Sequence, residues 1–182
     1  KKPVFPFNKF PQQNVFLSPE MKSTGEVIGF DKHLGSAYAK AESGTGHSLP
    51  IDGTVFISVN DSDKIAAISM ARDFKELGFT IMATKGTAQL LSENGISTNP
   101  VFKVGEGRPN VVDAIKNGSV QLVVNTPLGA QSRFDEYEIG RSAIRYKIPA
   151  ITTISGAQAA VRGIRNMKTG TIQYRSLQEV FS

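Results

Sequence analysis

Short apolar runs alternate with amphipathic segments from residue 54 to the end of the chain. The runs Val-Phe-Ile-Ser-Val at 55–59 and Leu-Val-Val at 122–124 are the most apolar of them. Such runs are too apolar for a strand with one exposed face and are typical of strands that are covered on both faces. The alternation therefore predicts a doubly wound five-stranded parallel sheet that is flanked by helices.

Five pairs of a strand and a helix make up this predicted domain. Asp61 and Asp63 favour the start of its first helix, Gly78 favours the end of that helix, and Pro109 suits the first turn of the third. The predicted strands cover residues 54–59, 80–83, 101–104, 121–125 and 150–154. The predicted helices cover residues 64–77, 87–93, 109–117, 134–146 and 157–166.

The first 50 residues have a different pattern. Residues 1–28 show little periodicity and predict extended chain and loops, residues 33–43 have helical composition, and the Gly/Ser/Pro-containing stretch 43–50 predicts a linker. We therefore interpret 31–51 as a connecting helix and linker and 52–182 as the main domain.

Composition excludes several kinds of site. The 182 residues include no cysteine, which excludes a disulfide scaffold, a thiolate zinc site and a cysteine nucleophile. His33 and His47 lie fourteen residues apart in Gly/Ser-containing surroundings and do not form a ligand set. We expect both histidines at the surface and predict no metal site.

The net charge of +5 is concentrated near the end of the chain. Seven of the 21 basic residues, but only one of the 16 acidic ones, follow residue 140. Because few aromatic residues accompany them, we interpret these basic residues as a solvated face, or as a contact surface for an acidic domain, and predict no nucleic-acid partner. The apolar runs are too short to cross a membrane and no secretory signal is present, so we predict a cytoplasmic protein. A plastid or another organelle stays open as an alternative.

Polar side chains collect at the predicted carboxyl ends of the strands, where doubly wound sheets bind ligands. Hydroxyls, an amide and ammonium groups meet there without an acid, which is the chemistry of an anion site. This set, which we name the rim, consists of Ser58, Lys64, Thr84, Gly86, Thr87, Lys103, Asn125 and Thr126.

The segment Ala-Thr-Lys-Gly-Thr at 83–87 is the most informative part of the rim. Gly86 would allow a tight turn, so that hydroxyls and the N–H groups of a new helix face a phosphate. Alone, this pattern also fits a helix cap without a ligand, but a partly buried lysine at a strand end needs an anionic partner. We therefore favour anion binding.

The rim is predicted to bind and not to react. No pair of acids, no Ser/His/Asp set and no Walker loop is present, so we predict no catalytic residue. Glu106, Arg108 and Asp113 are interpreted as a loop ion pair and a helix-end charge.

Two motifs in order resemble a known family. Phe-Pro-Phe-Asn-Lys-Phe at 5–10 and Leu-Ser-Pro-Glu-Met-Lys-Ser-Thr-Gly-Glu-Val at 17–27 resemble the end of the second synthetase half of carbamoyl-phosphate synthase large chains. Residues 53–182 resemble the C-terminal allosteric domain of that family, which has the methylglyoxal-synthase-like fold. The segments that carry this second likeness are Gly-Phe at 78–79, 83–87, Lys-Val-Gly-Glu-Gly-Arg-Pro at 103–109 and Asn-Thr at 125–126.

The resemblance implies that residues 1–30 end a synthetase domain and that the rest is a regulatory module with no cofactor of its own. The implied parent enzyme is a glutamine-hydrolysing ligase that uses ATP with Mg or Mn and makes carbamoyl phosphate for pyrimidine and arginine biosynthesis. Its implied partners are the upstream synthetase domains and a glutaminase small chain, and a homo-oligomer is left open.

The family's allosteric domain binds UMP, IMP or both at positions that match the rim. By this resemblance Lys64, Thr84, Thr87 and Lys103 would hold the phosphate, while Ser58 and the pair 125–126 would face the ribose and base. The residues after Thr126 are Pro-Leu-Gly at 127–129, where enteric members have Thr-Ser, so contacts there are in doubt.

Two further comparisons with related families concern ornithine activation and methylglyoxal synthase activity. Members that respond to ornithine hold it partly through a tyrosine two residues before a threonine; here these positions are Ala150 and Thr152, which predicts weak or absent ornithine activation. The alternative function is methylglyoxal synthase acting on dihydroxyacetone phosphate. That enzyme's catalytic aspartate aligns with Arg108, whose guanidinium cannot serve as a base.

Overall fold

The structure is a computed structural model that describes residues 1–5, 25–126, 133–170 and 172–181. The motifs at 5–10 and 17–27 and the segment 127–129 lie mostly or wholly outside the described residues. In chain order the elements are β1 Lys2–Val4, β2 Gly25–Val27, α1 Leu34–Gly44, β3 Thr54–Ser58, a 3-10 turn Asp61–Asp63, α2 Lys64–Glu76, β4 Thr80–Thr84, α3 Lys85–Glu93, β5 Asn99–Val101, α4 Val111–Lys116, β6 Leu122–Asn125, α5 Arg133–Arg145, β7 Ala150–Ile151, α6 Ile154–Lys168 and α7 Leu177–Phe181.

The main sheet has five parallel strands in the order β5-β4-β3-β6-β7. Within this sheet the chain begins with the central strand β3, adds β4 and β5 on one side, and then adds β6 and β7 on the other side. This arrangement confirms the predicted doubly wound parallel sheet. Among the described helices, none combines the length and the apolar character that a membrane span requires.

Both faces of the sheet carry a hydrophobic core. Val55 and Ile57 of β3 belong to the cluster on one face, together with buried side chains of α2 and α6, whereas Phe56 belongs to the cluster on the other face with α4 and α5. All three side chains are fully buried. Because neighbouring residues of a strand face opposite ways, a nearly continuous apolar run is what such a central strand requires.

Helix α1 packs closely against α6. A Cβ atom added at Gly163 would lie 2.8 Å from the Gly35 carbonyl oxygen, and one added at Gly35 would lie 2.6 Å from a backbone atom of Arg162. Ala39 and Leu49 are buried in the same core cluster as α6. The predicted helix at 33–43 is thus present, and its segment shares the core of the main domain; the predicted boundaries at 30 and 51 stay predictions.

The N-terminal residues form a two-stranded antiparallel ribbon, β1 with β2. Lys2 pairs with Glu42 of α1, whose side chain is only 3% exposed. Burial raises the pKa of the Tyr38 hydroxyl, and Glu42 beside it raises this pKa further. A buried carboxylate between these two groups fastens the ribbon to α1.

The seven basic residues after residue 140 are all exposed, as expected for a solvated face, and two of them also connect helices. The Arg165 guanidinium lies 3.5 Å from Asp73 of α2, and the Lys168 ammonium donates to the Leu77 carbonyl at 2.6 Å. Leu77 follows the last turn of α2, where carbonyl groups lack helical partners and favour a cation. These residues join α6 to the end of α2.

Two strand predictions were wrong in their bounds. Strand β5 is Asn99–Val101 and not 101–104, and it includes Pro100; proline is tolerated because β5 lies at the sheet edge. Strand β7 ends at Ile151, since Thr153 already caps α6 by accepting a hydrogen bond from the Gly156 N–H.

The predicted position of Pro109 in the first turn of a helix was also wrong. Helix α4 begins at Val111, and Asn110 is its N-cap: the Asn110 side chain accepts from the N–H groups of Val112 and Asp113, and the Asp113 carboxylate accepts from the Asn110 N–H. This reciprocal capping box fixes the start of the helix after the proline.

Candidate anion site at the carboxyl edge of the sheet

Three adjacent strands bring Ser58, Thr84 and Asn125 together. Ser58 on the central strand β3 is in register with Asn125 of β6, and the Thr84 hydroxyl at the end of β4 donates to the Ser58 hydroxyl at 3.5 Å. Ser58 and Thr84 are buried. The strand ends therefore place two hydroxyls and an amide side by side, as the sequence predicts.

Thr126 is buried directly after β6, and its groups are used to hold the site together. Its backbone N–H donates to the Ser58 carbonyl at 2.9 Å, and its hydroxyl accepts from the Asn60 N–H at 3.0 Å. The predicted contact with a ribose or base must therefore share this hydroxyl with the loop after β3.

The start of α3 is open towards the same edge. Thr84 is the N-cap residue but makes no side-chain cap hydrogen bond, and Thr87 in the first turn is 2% exposed. The first N–H groups of a helix have no helical partner and carry the positive end of its dipole. The start of α3 thus supplies unpaired donors next to two hydroxyls, which is an arrangement that favours an anion.

Gly86 does not make the tight turn that the sequence suggests. It is the second residue of α3, it has no positive φ, and a Cβ atom added there would meet nothing within 4 Å. Its backbone is helical because α3 begins directly after β4. The absence of a side chain therefore leaves space in front of the helix and does not serve a turn.

Two lysines lie at this edge by topology, at the start of α2 and after β5. The Lys64 side chain is 36% exposed, and its ammonium group lies 2.7 Å from the Asp61 carboxylate, which corrects the expectation that the rim contains no acid. Lys103 is half-buried, and none of the described residues receives a hydrogen bond from its ammonium group. The loop around Lys103 is held by Glu106, whose carboxylate accepts from the Lys103 N–H at 3.3 Å.

Two asparagines that the sequence analysis missed organise the loops of the site. Asn60 accepts from the Asp63 N–H at 3.0 Å and so caps the 3-10 turn that leads into α2, a task expected of Asp61 and Asp63. Asn110 caps α4 and donates to the Val104 carbonyl at 3.5 Å. Both begin an Asn-x-x-Asp pattern, which is the sequence signal that could have identified them.

Arg108 and His47, which the sequence analysis also considers, form no ion pair or side-chain hydrogen bond with a rim residue in the described part of the chain. The exposed Arg108 guanidinium is 3.9 Å from Asp113, as expected for a loop ion pair beside a helix-end charge. His47 is half-buried, and its Nδ1 atom is buried without a hydrogen-bond partner among the described residues, which corrects its predicted surface position. The described residues contain no group of three or more histidine and acidic side chains that could hold a metal ion.

A cavity of about 550 Å³ adjoins the rim through Asn125. It lies between the N-terminal ribbon and the β6–β7 side of the sheet, and Thr152 lies in its wall with Glu42 and His47. Most of the other lining side chains are apolar. The structure thus places Thr152 in the wall of this cavity, together with Asn125 of the rim.

Comparison with known proteins identifies the family. Residues 66–152 match the MGS-like domain. The chain is 51% identical over 179 residues to the carbamoyl phosphate synthase large chain of Nostoc sp., which covers 98% of this chain and 16% of that protein. It is 50% identical over 180 residues to the corresponding large chain of Archaeoglobus fulgidus, covering 98% and 17%.

A third relative is the carbamoyl phosphate synthase large chain, C-terminal section, of Aquifex aeolicus. The identity is 44% over 187 residues, covering 100% of this chain and 35% of that protein. The chain therefore spans about a sixth to a third of the length of these relatives. It contains an MGS-like domain and is a homologue of carbamoyl phosphate synthase large chains over almost its whole length.

Proposed function

We propose that the rim binds the phosphate group of UMP, IMP or both, and that the chain is the regulatory part of a glutamine-hydrolysing carbamoyl phosphate synthase. The observation that carries this proposal is the alignment of Ser58, Thr84 and Asn125 in front of the uncapped start of α3. Lys64 and Lys103 supply the positive charge that a phosphate needs. Ser58 and the pair Asn125 and Thr126 would face the sugar and base.

The parent enzyme belongs to the same proposal. Its ligase chemistry, with ATP and Mg or Mn, would lie in synthetase domains outside this chain, and a glutaminase small chain would supply ammonia. We place the enzyme in the cytoplasm, in pyrimidine and arginine biosynthesis. A nucleotide would change the rate by binding one arrangement of the whole enzyme more tightly than another, typically by about 1–3 kcal/mol.

Replacing Lys64 or Thr87 is expected to weaken nucleotide binding. Lys64→Met removes the charge and Thr87→Val removes the hydroxyl at nearly constant volume, so each should weaken UMP binding by about tenfold to a hundredfold. Isothermal titration calorimetry of the 182-residue chain with UMP, IMP and inorganic phosphate measures this effect and shows which nucleotide is preferred.

Two matched variants control for general effects of these substitutions. Lys75→Met changes an exposed lysine at the other end of α2, and Thr80→Val changes an exposed threonine at the amino end of β4. Both should bind UMP like the parent. Unchanged UMP affinity in Lys64→Met and Thr87→Val would contradict the proposed phosphate site.

Ornithine is expected to have little effect on the complete enzyme. Ala150 leaves the cavity beside Thr152 without the aromatic hydroxyl that ornithine-responsive members provide there. At an ornithine concentration that just saturates ornithine-responsive members, the synthase rate should therefore change by less than about twofold, because a lost hydrogen bond to a charged ligand reduces affinity by roughly tenfold or more. A several-fold increase in that rate would refute the expectation.

The alternative, methylglyoxal synthase, needs a base in the rim loop. The residue that aligns with that base is Arg108, which is 80% exposed and directed towards Asp113. A guanidinium stays protonated at any accessible pH and cannot accept the substrate proton. An assay with dihydroxyacetone phosphate separates the two functions, because only the alternative requires turnover.

A further inference from the structure

Lys64 occupies an unfavourable position for a cation. It is the first residue of the 13-residue helix α2. The start of a helix carries partial positive charge, so an ammonium group there is disfavoured and an acidic side chain is favoured. The helix start therefore does not favour the lysine, which pairs instead with a neighbouring anion.

Asp61 is that anion. Its carboxylate lies 2.7 Å from the Lys64 ammonium and its side chain is 90% exposed. The backbone also holds the pair in place, because the Asp61 carbonyl accepts a hydrogen bond from the Lys64 N–H and Asn60 caps the turn. Lys64 lowers the pKa of the Asp61 carboxyl, so this group is ionised at neutral pH.

We infer that Asp61 is a built-in competitor for the phosphate-binding ammonium of Lys64 and thereby sets the charge a ligand must carry. This inference rests on the proposed function. A phosphate monoester that approaches Lys64 meets a carboxylate already bound there, and it must displace the carboxylate or bear its repulsion. A dianion gains enough from Lys64 and the start of α3 to do so, whereas an uncharged nucleoside gains nothing there.

The exposure of Asp61 makes this displacement feasible. An exposed carboxylate regains its hydration when it releases Lys64, so the cost of breaking the pair is small compared with that of a buried pair. Asp63, two residues later, could not take the same role because its carboxylate accepts from the Asn60 side chain at 2.8 Å. Asp61 is therefore a specificity-determining residue and Asp63 a structural one.

The test is the pair of variants Asp61→Asn and Asp52→Asn in the 182-residue chain. Both remove one negative charge, but Asp52 lies before β3, at the opposite edge of the sheet. Asp61→Asn should bind UMP and inorganic phosphate about threefold to tenfold more tightly than the parent, as expected for loss of a competing and repelling charge. Uridine binding should not change, and Asp52→Asn should alter UMP affinity by less than about twofold.

A second measurement compares urea unfolding of the proteins without and with UMP. Without ligand, Asp61→Asn should unfold at a slightly lower urea concentration than the parent, because Lys64 loses its counter-ion at a helix start. The increase in that midpoint on adding UMP should be larger for Asp61→Asn than for the parent. Circular dichroism of the variant confirms that its fold is retained.

The outcomes separate this inference from the proposed function. If the parent binds UMP and Asp61→Asn binds it no more tightly, or if uridine gains as much as UMP, the competitor role is overturned while the nucleotide site stands. If neither protein binds UMP or phosphate, the proposed function fails and the inference fails with it.

Discussion

Gly86→Asp is expected to abolish UMP binding while the protein stays folded. Gly86 is exposed in the first turn of α3, its backbone is helical, and a new Cβ atom there would meet nothing within 4 Å. An acidic side chain in the first turn stabilises a helix. The same carboxylate would stand in front of the N–H groups that are proposed to bind the phosphate, so we expect UMP affinity to fall by more than about a hundredfold.

Gly86→Asn is the matched control for this variant. Asparagine has nearly the same size as aspartate but no charge, so it should reduce UMP affinity by no more than a few fold. Calorimetry gives the affinities and urea unfolding gives the stabilities, which should be equal to or above that of the parent for Gly86→Asp. Normal UMP binding by a folded Gly86→Asp protein would show that the nucleotide phosphate does not lie at the start of α3.

Gly163→Ala is expected to cause the largest loss of stability of the changes considered, about 2–3 kcal/mol in the free energy of unfolding. The added methyl group would lie 2.8 Å from the Gly35 carbonyl oxygen and 3.2 Å from the Ala39 Cβ atom. These are backbone and core atoms that cannot move aside by a change of rotamer. Helices α1 and α6 must therefore separate, which opens the core between them.

Gly86→Ala is the control for Gly163→Ala, because it makes the same change in an α-helix where space is open. Alanine is a better helix former than glycine, so Gly86→Ala should be neutral or stabilising by up to about 1 kcal/mol. Urea unfolding followed by circular dichroism measures both. Equal stability of Gly163→Ala and the parent would mean that the two helices are less tightly packed than the structure shows.

The fold could be predicted because burial on two faces leaves a clear pattern. Val55, Phe56 and Ile57 face alternate sides of the sheet and all lie in a core, which permits no polar position between them. The ends of elements leave a weaker signal, such as the short Asn-x-x-Asp pattern that begins at Asn60 and at Asn110. The helix starts are set by side chains such as those of Asn60 and Asn110, which accept hydrogen bonds from free N–H groups. Such contacts involve only a few neighbouring residues, so their signal in the sequence is weak.

The sequence predicts which polar residues meet at the candidate site, but it does not predict the negative charge of Asp61 beside Lys64. Parallel strands end at one edge, so Ser58, Thr84 and Asn125 had to meet once the sheet order was known. The pairing of Asp61 with Lys64 depends on the 3-10 turn that Asn60 caps. The sequence pattern instead predicts that Asp61 interacts with the N–H groups at the helix start, and it therefore does not predict this ion pair. Likewise, Gly86 is helical because α3 begins directly after β4 without a turn. No residue type in this segment predicts that direct start.

The attachment of the N-terminal ribbon has a practical consequence for anyone who shortens this chain. A version that starts at residue 31 would lose the ion pair between Lys2 and Glu42 and the ribbon residues that lie beside the Glu42 carboxylate. A version that starts at residue 52 would also lose Ala39 and Leu49 and leave the α6 face in water. The smallest piece suited to ligand titration is therefore longer than the stretch that carries the rim residues.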